Sequence, residues 1–234
     1  MSEKPCWVIV PAAGVGLRMG TGRPKQYLDL LGKTVIQHSL ERVSAHSAVK
    51  GVVVCVAKDD RCWPKIQGRI TKLLGTASGG PERTNTVLNG LHFLRKWAGD
   101  EDWVLVHDGV RPCLRPEDVR KLIESVKAVD QQGGILGAPV ADTLKRVKDY
   151  TIEETVPREG LWRALTPQLF RLGMLAHALE SAHQEGVLVT DEASAMERMG
   201  HRPLMVQGSS DNIKITRSDD LMLAADILKR QLET

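Results

Sequence analysis

Long hydrophobic runs are missing from this chain. The apolar stretch near the N-terminus, residues 7–13, is too short for a membrane span and no Ala-x-Ala cleavage pattern follows it, so neither anchoring nor export is expected and the chain is assigned to the cytoplasm. Cysteine is equally sparse. Cys6, Cys55, Cys62 and Cys113 stand singly, with no C-x-x-C pair to seed a zinc site or a redox motif, and read as reduced, mostly buried thiols. His38, His46, His92, His107, His177, His183 and His201 form no catalytic pairing and read as structural or surface residues; no metal ligand is assigned. Positive charge is not clustered either. Lys and Arg total 32 against 29 Asp and Glu, a net charge of +3 without basic runs, which argues against nucleic acid and leaves small anions as the expected partners. Internal repeats and low-complexity tracts are also lacking.

What is present is ordinary globular material. Hydrophobic residues make up 42% and charged residues 26% of 234 positions, enough for one substantial core, so residues 1–234 are expected to form a single domain. Short apolar runs alternate with amphipathic patterns, which is the signature of βα units; the expected class is α/β with a doubly wound, mostly parallel sheet. The runs at 7–10, 52–56, 103–106 and 135–140 are apolar throughout rather than at every second position, so they read as central strands covered on both faces. Thr34 with Gln37 predicts a capping box for a helix over 35–44, and Pro116 opens a helix through Val119, Leu122, Ile123 and Val126. Ser218 followed by Leu221, Ala224, Ala225 and Leu228 predicts a C-terminal amphipathic helix.

Residues 141–165 break the rhythm. They are polar and hold two strand-like stretches, 143–147 and 151–156, about a turn at Lys148, Asp149 and Tyr150. A hairpin with so little apolar mass does not order itself in water, so the segment reads as an inserted arm that packs on something else, most simply another copy of the chain.

The chemistry gathers in the loop after the first strand, Pro11-Ala12-Ala13-Gly14-Val15-Gly16-Leu17-Arg18-Met19-Gly20, with Pro24-Lys25-Gln26 close behind. In a parallel sheet such a loop lies at the carboxyl end of a strand, where ligands of open α/β folds bind. Glycines let backbone N–H groups approach a phosphate chain, and Arg18 and Lys25 bring charge; each close cation–phosphate pairing is worth about 4 kcal/mol at intermediate dielectric before desolvation is subtracted. Glycines here also suit a dinucleotide. The G-x-G-x-x-G fingerprint fails because Met19 stands where the third glycine belongs, which disfavours an NAD-dependent oxidoreductase, and the P-loop pattern is absent. A nucleotide-binding protein without catalysis remains open at this point.

The same loop, with Gln26-Tyr27 after it, resembles the signature of the 2-C-methyl-D-erythritol 4-phosphate cytidylyltransferases of non-mevalonate isoprenoid biosynthesis. The resemblance continues in order: Gly79-Gly80-x-Glu82-Arg83, Val106-His107-Asp108-x-x-Arg111-Pro112-Cys113, Asp142-Thr143, Gly160-Leu161-Trp162, Leu165-Thr166-Pro167-Gln168, Thr190-Asp191-Glu192-Ala193-Ser194-Ala195 and Asp211-Asn212-Ile213-Lys214. Ribitol-5-phosphate cytidylyltransferases are similar in design and form the alternative.

The resemblance implies a Rossmann-like nucleotidyltransferase fold with a projecting dimerisation arm at 141–165. It implies transfer of CMP from CTP to a small phosphorylated polyol, with pyrophosphate released. Arg18, Lys25, Arg158 and Lys214 would act on the reacting phosphates. Pro11, Ala12, Ala13, Gly14, Gly16, Gly80, Arg83 and Thr86 would bind CTP, the backbone carbonyls near Ala12 and Gly80 reading the cytosine amine. Asp108, Arg111, Thr143, Thr166 and Thr190 would bind the acceptor, Asp108 through its hydroxyls and Arg111 through its phosphate. Mg2+ would arrive held mainly by the nucleotide, and the partner would be a second copy exchanging arms in a homodimer. Pro81 and Pro157 depart from the family pattern, which has acidic residues often in these places, and Gly109-Val110 stand where paired alanines are common.

Overall fold

The fully apolar runs become the central strands of one sheet. The structure, a computed structural model, describes residues 4–14, 23–129 and 132–233. The chain begins with β1 (Cys6–Pro11), a 3-10 turn at Lys25–Tyr27, and a short hairpin of β2 (Asp29–Leu30) and β3 (Lys33–Thr34) leading into α1 (Val35–Ser44). Next come β4 (Val49–Val56), β5 (Leu73–Ser78), α2 (Arg83–Leu94), β6 (Trp103–Val106), α3 (Pro116–Ala128) and β7 (Gly133–Pro139). The arm strands β8 (Leu144–Lys148) and β9 (Thr151–Val156) precede β10 (Trp162–Arg171), α4 (Leu172–Gln184), α5 (Glu192–Arg198), β11 (Leu204–Gln207) and α6 (Ser218–Leu232). Seven strands form the main sheet in the order β11-β7-β10-β6-β1-β4-β5, parallel except for β10, which runs antiparallel to both neighbours.

Alternation along β1 explains the sheet's two-sided burial. Val8 and Val10 pack with Ile36, Leu40 and Val43 of α1 and Val119 and Leu122 of α3, while Trp7 and Ile9 pack with Val87 and Leu91 of α2 and Leu172 and Leu175 of α4. A third cluster seats α6 through Ala224, Ile227 and Leu228 against Leu30, Val35 and Ile215. The start of α1 is fixed as the sequence predicts: Gln37 Oε1 accepts from both the backbone N–H and the hydroxyl of Thr34, each at 2.9 Å. No helix among the described residues is long and apolar enough to cross a membrane.

The arm stands apart. Its strands pair only with each other, and Val147, Tyr150 and Ile152 are all exposed. Asp149 and Tyr150 both have positive φ, +47° and +62°, which matches the two-residue turn whose twist suits a hairpin. β10 begins at Trp162, inside the range expected for the arm, and runs on into the core with one shift of register against β7 between Ala164 and Gln168, so the segment is joined to the main sheet rather than tethered by a linker.

Helix α2 lies unusually close to the sheet at Gly90. A Cβ there would meet Cys55 Sγ at 2.8 Å and Ile9 Cγ2 at 2.9 Å, both on buried strands. Gly90→Val is therefore expected to lower the unfolding free energy by about 1–3 kcal/mol, the usual cost of forcing methyl groups into a packed core. Urea titration checks this; an unchanged midpoint would show that α2 can lift away without cost.

Candidate active site

Strand order reverses at β1: the chain builds outward through β4 and β5 on one side and through β6 on the other. The carboxyl ends of β1 and β6 therefore open a crevice that the crossing helices leave uncovered. A cleft of about 380 Å³ lies there, lined by the segment 11–14, Lys25, Gly80, Arg83, Asp108 and Lys214. Gly16 and Arg18 lie outside the described residues.

The nucleotide-loop side is held by local hydrogen bonds. Ala12 N–H donates to Cys55 O at 2.7 Å, and Gln26, only 4% exposed, donates from Nε2 to Ala12 O at 2.8 Å and to Gly14 O at 2.9 Å. Lys25 Nζ donates to Ile215 O at 2.9 Å, tying this loop to the segment that carries Lys214. Across the cleft, Gly79 approaches Ala13 so closely that a Cβ on the glycine would sit 2.2 Å from the alanine's, so only glycine fits. Thr86 Oγ1 accepts from Gly80 N–H at 2.9 Å and donates to Glu82 O at 3.0 Å. Its hydroxyl thus fastens the paired glycines to the first turn of α2.

On the other side Asp108, just past β6, is the hub. Its Oδ1 meets Arg83 Nε at 3.1 Å, and its Oδ2 meets Lys214 Nζ at 3.0 Å and Arg111 Nε at 3.3 Å. Arg83 also forks onto Glu192, at 2.6 and 3.1 Å, and Glu192 is completely buried at the first position of α5. Burial alone would raise the Asp108 carboxyl, but Arg83, Lys214 and Arg111 hold it far below the usual carboxylate range, so it stays ionised. For Arg83 the same burial works against the charge, and Glu192 and Asp108 more than reverse it. Burial draws Arg111 down despite Asp108.

Several predicted residues have partners other than those expected. Arg111 is nearly buried and engages Asp108 and, at 2.8 Å, Asn212 O, contacts that order the loop after β6. Thr166 is also turned inward: its Oγ1 accepts from Asp108 N–H at 3.1 Å and contacts His107 Nδ1 at 2.9 Å. It sits where the β10–β7 register is interrupted between Ala164 and Gln168, the kind of irregularity that re-aims side chains beside functional sites. Thr190 donates its N–H to Ser194 Oγ at 3.1 Å ahead of α5 and is exposed. Thr143 and Arg158 are exposed at the arm's base, Arg158 donating to Ala141 O, and neither belongs to the cleft lining of its own chain.

Sequence reasoning assigned no role to Gln26, Glu192, Gln168 or Asn212, though each lay within a quoted motif. Gln168 bridges β10 to α5, donating to Asp191 Oδ2 and accepting from Ala193 N–H, both at 2.8 Å. Asn212 Nδ2 donates to Thr166 O at 2.8 Å. Among the described residues no three His, Cys, Asp or Glu side chains gather to hold a metal.

Comparison with known proteins agrees with this geometry. Residues 6–230 match the family model described as IspD, 2-C-methyl-D-erythritol 4-phosphate cytidylyltransferase. The chain is similar to a protein of that name from Hahella chejuensis, 47% identical over 234 residues, covering 100% of this chain and 97% of the relative. One from Pseudomonas entomophila is 50% identical over 217 residues, 92% of each chain. A crystal structure of a 4-diphosphocytidyl-2C-methyl-D-erythritol synthase superposes with a TM-score of 0.85 at 38% identity, covering 97% of this chain and 99% of the other.

His107 gives a pH test of this architecture. It is fully buried between Thr166 Oγ1 and Arg111 O, and burial pushes its imidazole down to about 4, with Asp108 opposing only in part. An unfolded chain takes up a proton as pH falls through about 6.5 and the folded one does not until about 4, so stability drops across that window by about 3 kcal/mol. Urea unfolding at about pH 7 and about pH 4 is expected to show this extra loss in the wild type and not in His107→Gln. Equal pH slopes would mean His107 is protonated in the fold.

Proposed function

Because the chain belongs to the 2-C-methyl-D-erythritol 4-phosphate cytidylyltransferase family and transfers CMP from CTP to that acceptor, we propose that its cleft works by charge neutralisation and alignment, completed by the arm of a second copy. The observation that carries this reading is the cationic hub beside the glycine loop: Arg83, Arg111 and Lys214 gathered on the two carboxylates Asp108 and Glu192, with Lys25 on the opposite lip. An anion entering the cleft meets positive charge whose burial cost is offset by Asp108 and Glu192 and which is positioned by backbone contacts.

An oxygen of the acceptor phosphate attacks the α-phosphorus of CTP, a new P–O bond forms, and the bond to the leaving pyrophosphate breaks. The nucleophile is ionised at neutral pH, so no general base and no covalent enzyme intermediate are required. Arg18 and Lys25 hold the triphosphate and offset charge growing at the transferred group; Lys214, fixed by Asp108, positions the acceptor phosphate. Enzymes of this class generally use a divalent metal. Here Asp108 commits both oxygens to three cations, which fits Mg2+ carried by the nucleotide's phosphates, where it screens their charge. Four free cysteines, Cys6, Cys55 and Cys113 of them buried, suit the reducing cytoplasm where CTP is available.

The arm supplies what the cleft of one chain lacks. Among the described residues its strands hydrogen-bond as a sheet of their own, and apolar Val147 and Ile152 are about half exposed at 53% and 59%. Two chains exchanging arms about a two-fold axis cover that surface and bring Thr143 and Arg158 to the partner's acceptor phosphate, in the commonest oligomer symmetry. The alternative acceptor, ribitol 5-phosphate, serves as the control substrate.

Two outcomes are expected. Lys25→Ala lowers kcat for pyrophosphate release by at least ~100-fold with a smaller effect on CTP affinity, as for other donors acting on transition-state charge; an unchanged kcat would remove Lys25 from the reaction. Mixing inactive Arg158→Ala chains with inactive Lys25→Ala chains under subunit exchange restores about a quarter of wild-type activity, because each mixed dimer keeps one site with both residues intact. Mixed dimers that stay inactive would place Arg158 in its own chain's site.

A further inference from the structure

A carbonyl expected to read the base, that of Ala12, already accepts one hydrogen bond and keeps its second lone pair. Gln26 has both Nε2 protons on main-chain carbonyls, those of Ala12 and Gly14, at 2.8 and 2.9 Å. The orientation of this amide is not arbitrary: both neighbours are acceptors, so only the NH2 end can face them. Residues on either side of Ala13 are thereby stapled by one buried side chain, while no hydrogen bond among the described residues engages the N–H or C=O of Ala13 itself. Ala13 also forms the contact with Gly79, next to Gly80 on the facing wall, so its peptide groups sit at the edge of the slot between these two segments.

We infer that Gln26 is a positioning residue for base selection: its amide fixes the 12–14 segment so that the backbone groups of Ala12 and Ala13 face the nucleotide in the orientation that distinguishes cytosine from uracil. Cytosine and uracil differ at one edge by exchange of a donor for an acceptor, so discrimination depends on where a few fixed backbone groups point and not on the volume of the slot. Removing the staple frees the 12–14 segment, which follows directly on a buried strand. Neither the hub at Asp108 nor the acceptor-binding residues change partners, because Gln26 contacts none of them. The inference rests on cytidylyl transfer as the reaction, and a binding measurement separates the two.

Gln26→Met keeps the length and neutrality of the side chain and removes both donors; Gln26→Glu keeps the shape and replaces donors by acceptors. For wild type and both variants, CTP and UTP affinities are measured by calorimetry, kcat/KM by pyrophosphate release, and folding by thermal melting. The expected result is a fall of at least about tenfold in the CTP-over-UTP ratio for Gln26→Met, mostly in nucleotide affinity and KM, with kcat within a few-fold and the acceptor KM unchanged. Gln26→Glu is expected to lose at least as much. Should Gln26→Met melt early yet keep the wild-type ratio, Gln26 is a packing residue and the inference is overturned. It is equally overturned if wild type binds CTP and UTP alike. Loss of turnover with base selectivity in binding preserved would instead point to an effect on the reacting phosphates. If Gln26→Glu fails to fold, the Gln26→Met result decides.

Discussion

The site depends on keeping one carboxylate ionised in a place that water hardly reaches. Asp108 and Glu192 are two buried acids, and they are tolerable only because Arg83, Arg111 and Lys214 converge on them from three separate parts of the chain. Removing one partner from such a cluster leaves an uncompensated buried charge, at a typical cost of 3–5 kcal/mol. The cluster therefore holds α2, the loop after β6, α5 and the segment before α6 in fixed relation. Catalytic geometry and fold stability draw on the same few bonds.

Around that hub runs a shell of neutral hydrogen bonds that orients it. His107, kept uncharged by burial, lies between Thr166 and Arg111 O, and Asn212 joins Thr166 O to the strand of contacts leading to Lys214. A protonated imidazole here would add a further cation to a crowded cluster. Burial outweighs the opposing charge of Asp108 and favours the neutral ring at neutral pH.

Much of this was legible in the sequence, for local reasons. Continuous apolar runs gave the central strands because both faces of the sheet are covered, and the Thr34–Gln37 pair gave the start of α1 because capping is decided within one turn. The arm was visible because polarity and turn residues coincide at 148–150. β10 was not read as a strand. Pro167 lies within it and Thr166 and Gln168 are polar yet buried, which by composition argues against a central strand; the ladder is in fact interrupted there. The partnership of Arg83 with Glu192 spans 109 residues and leaves no local trace, and Arg111 looks like a solvent-facing fork until Asn212 O is placed against it. Residue types announced the chemistry, but only tertiary proximity decided which charges are spent internally.

β10 has a mechanical consequence. It is one continuous span from exposed Trp162 at the root of the arm to Arg171 at the far edge of the core, and on the way it carries Thr166 beneath Asp108 and Gln168 against Asp191. From Gln168 onward the strand is held on both sides, by β6 and β7, whereas from Trp162 to Ala164 it pairs with β7 alone. The root of the arm and the hydroxyl that accepts from Asp108 N–H are thus carried on one strand, so a displacement of the arm reaches the buried carboxylate only through the irregular stretch between Ala164 and Gln168.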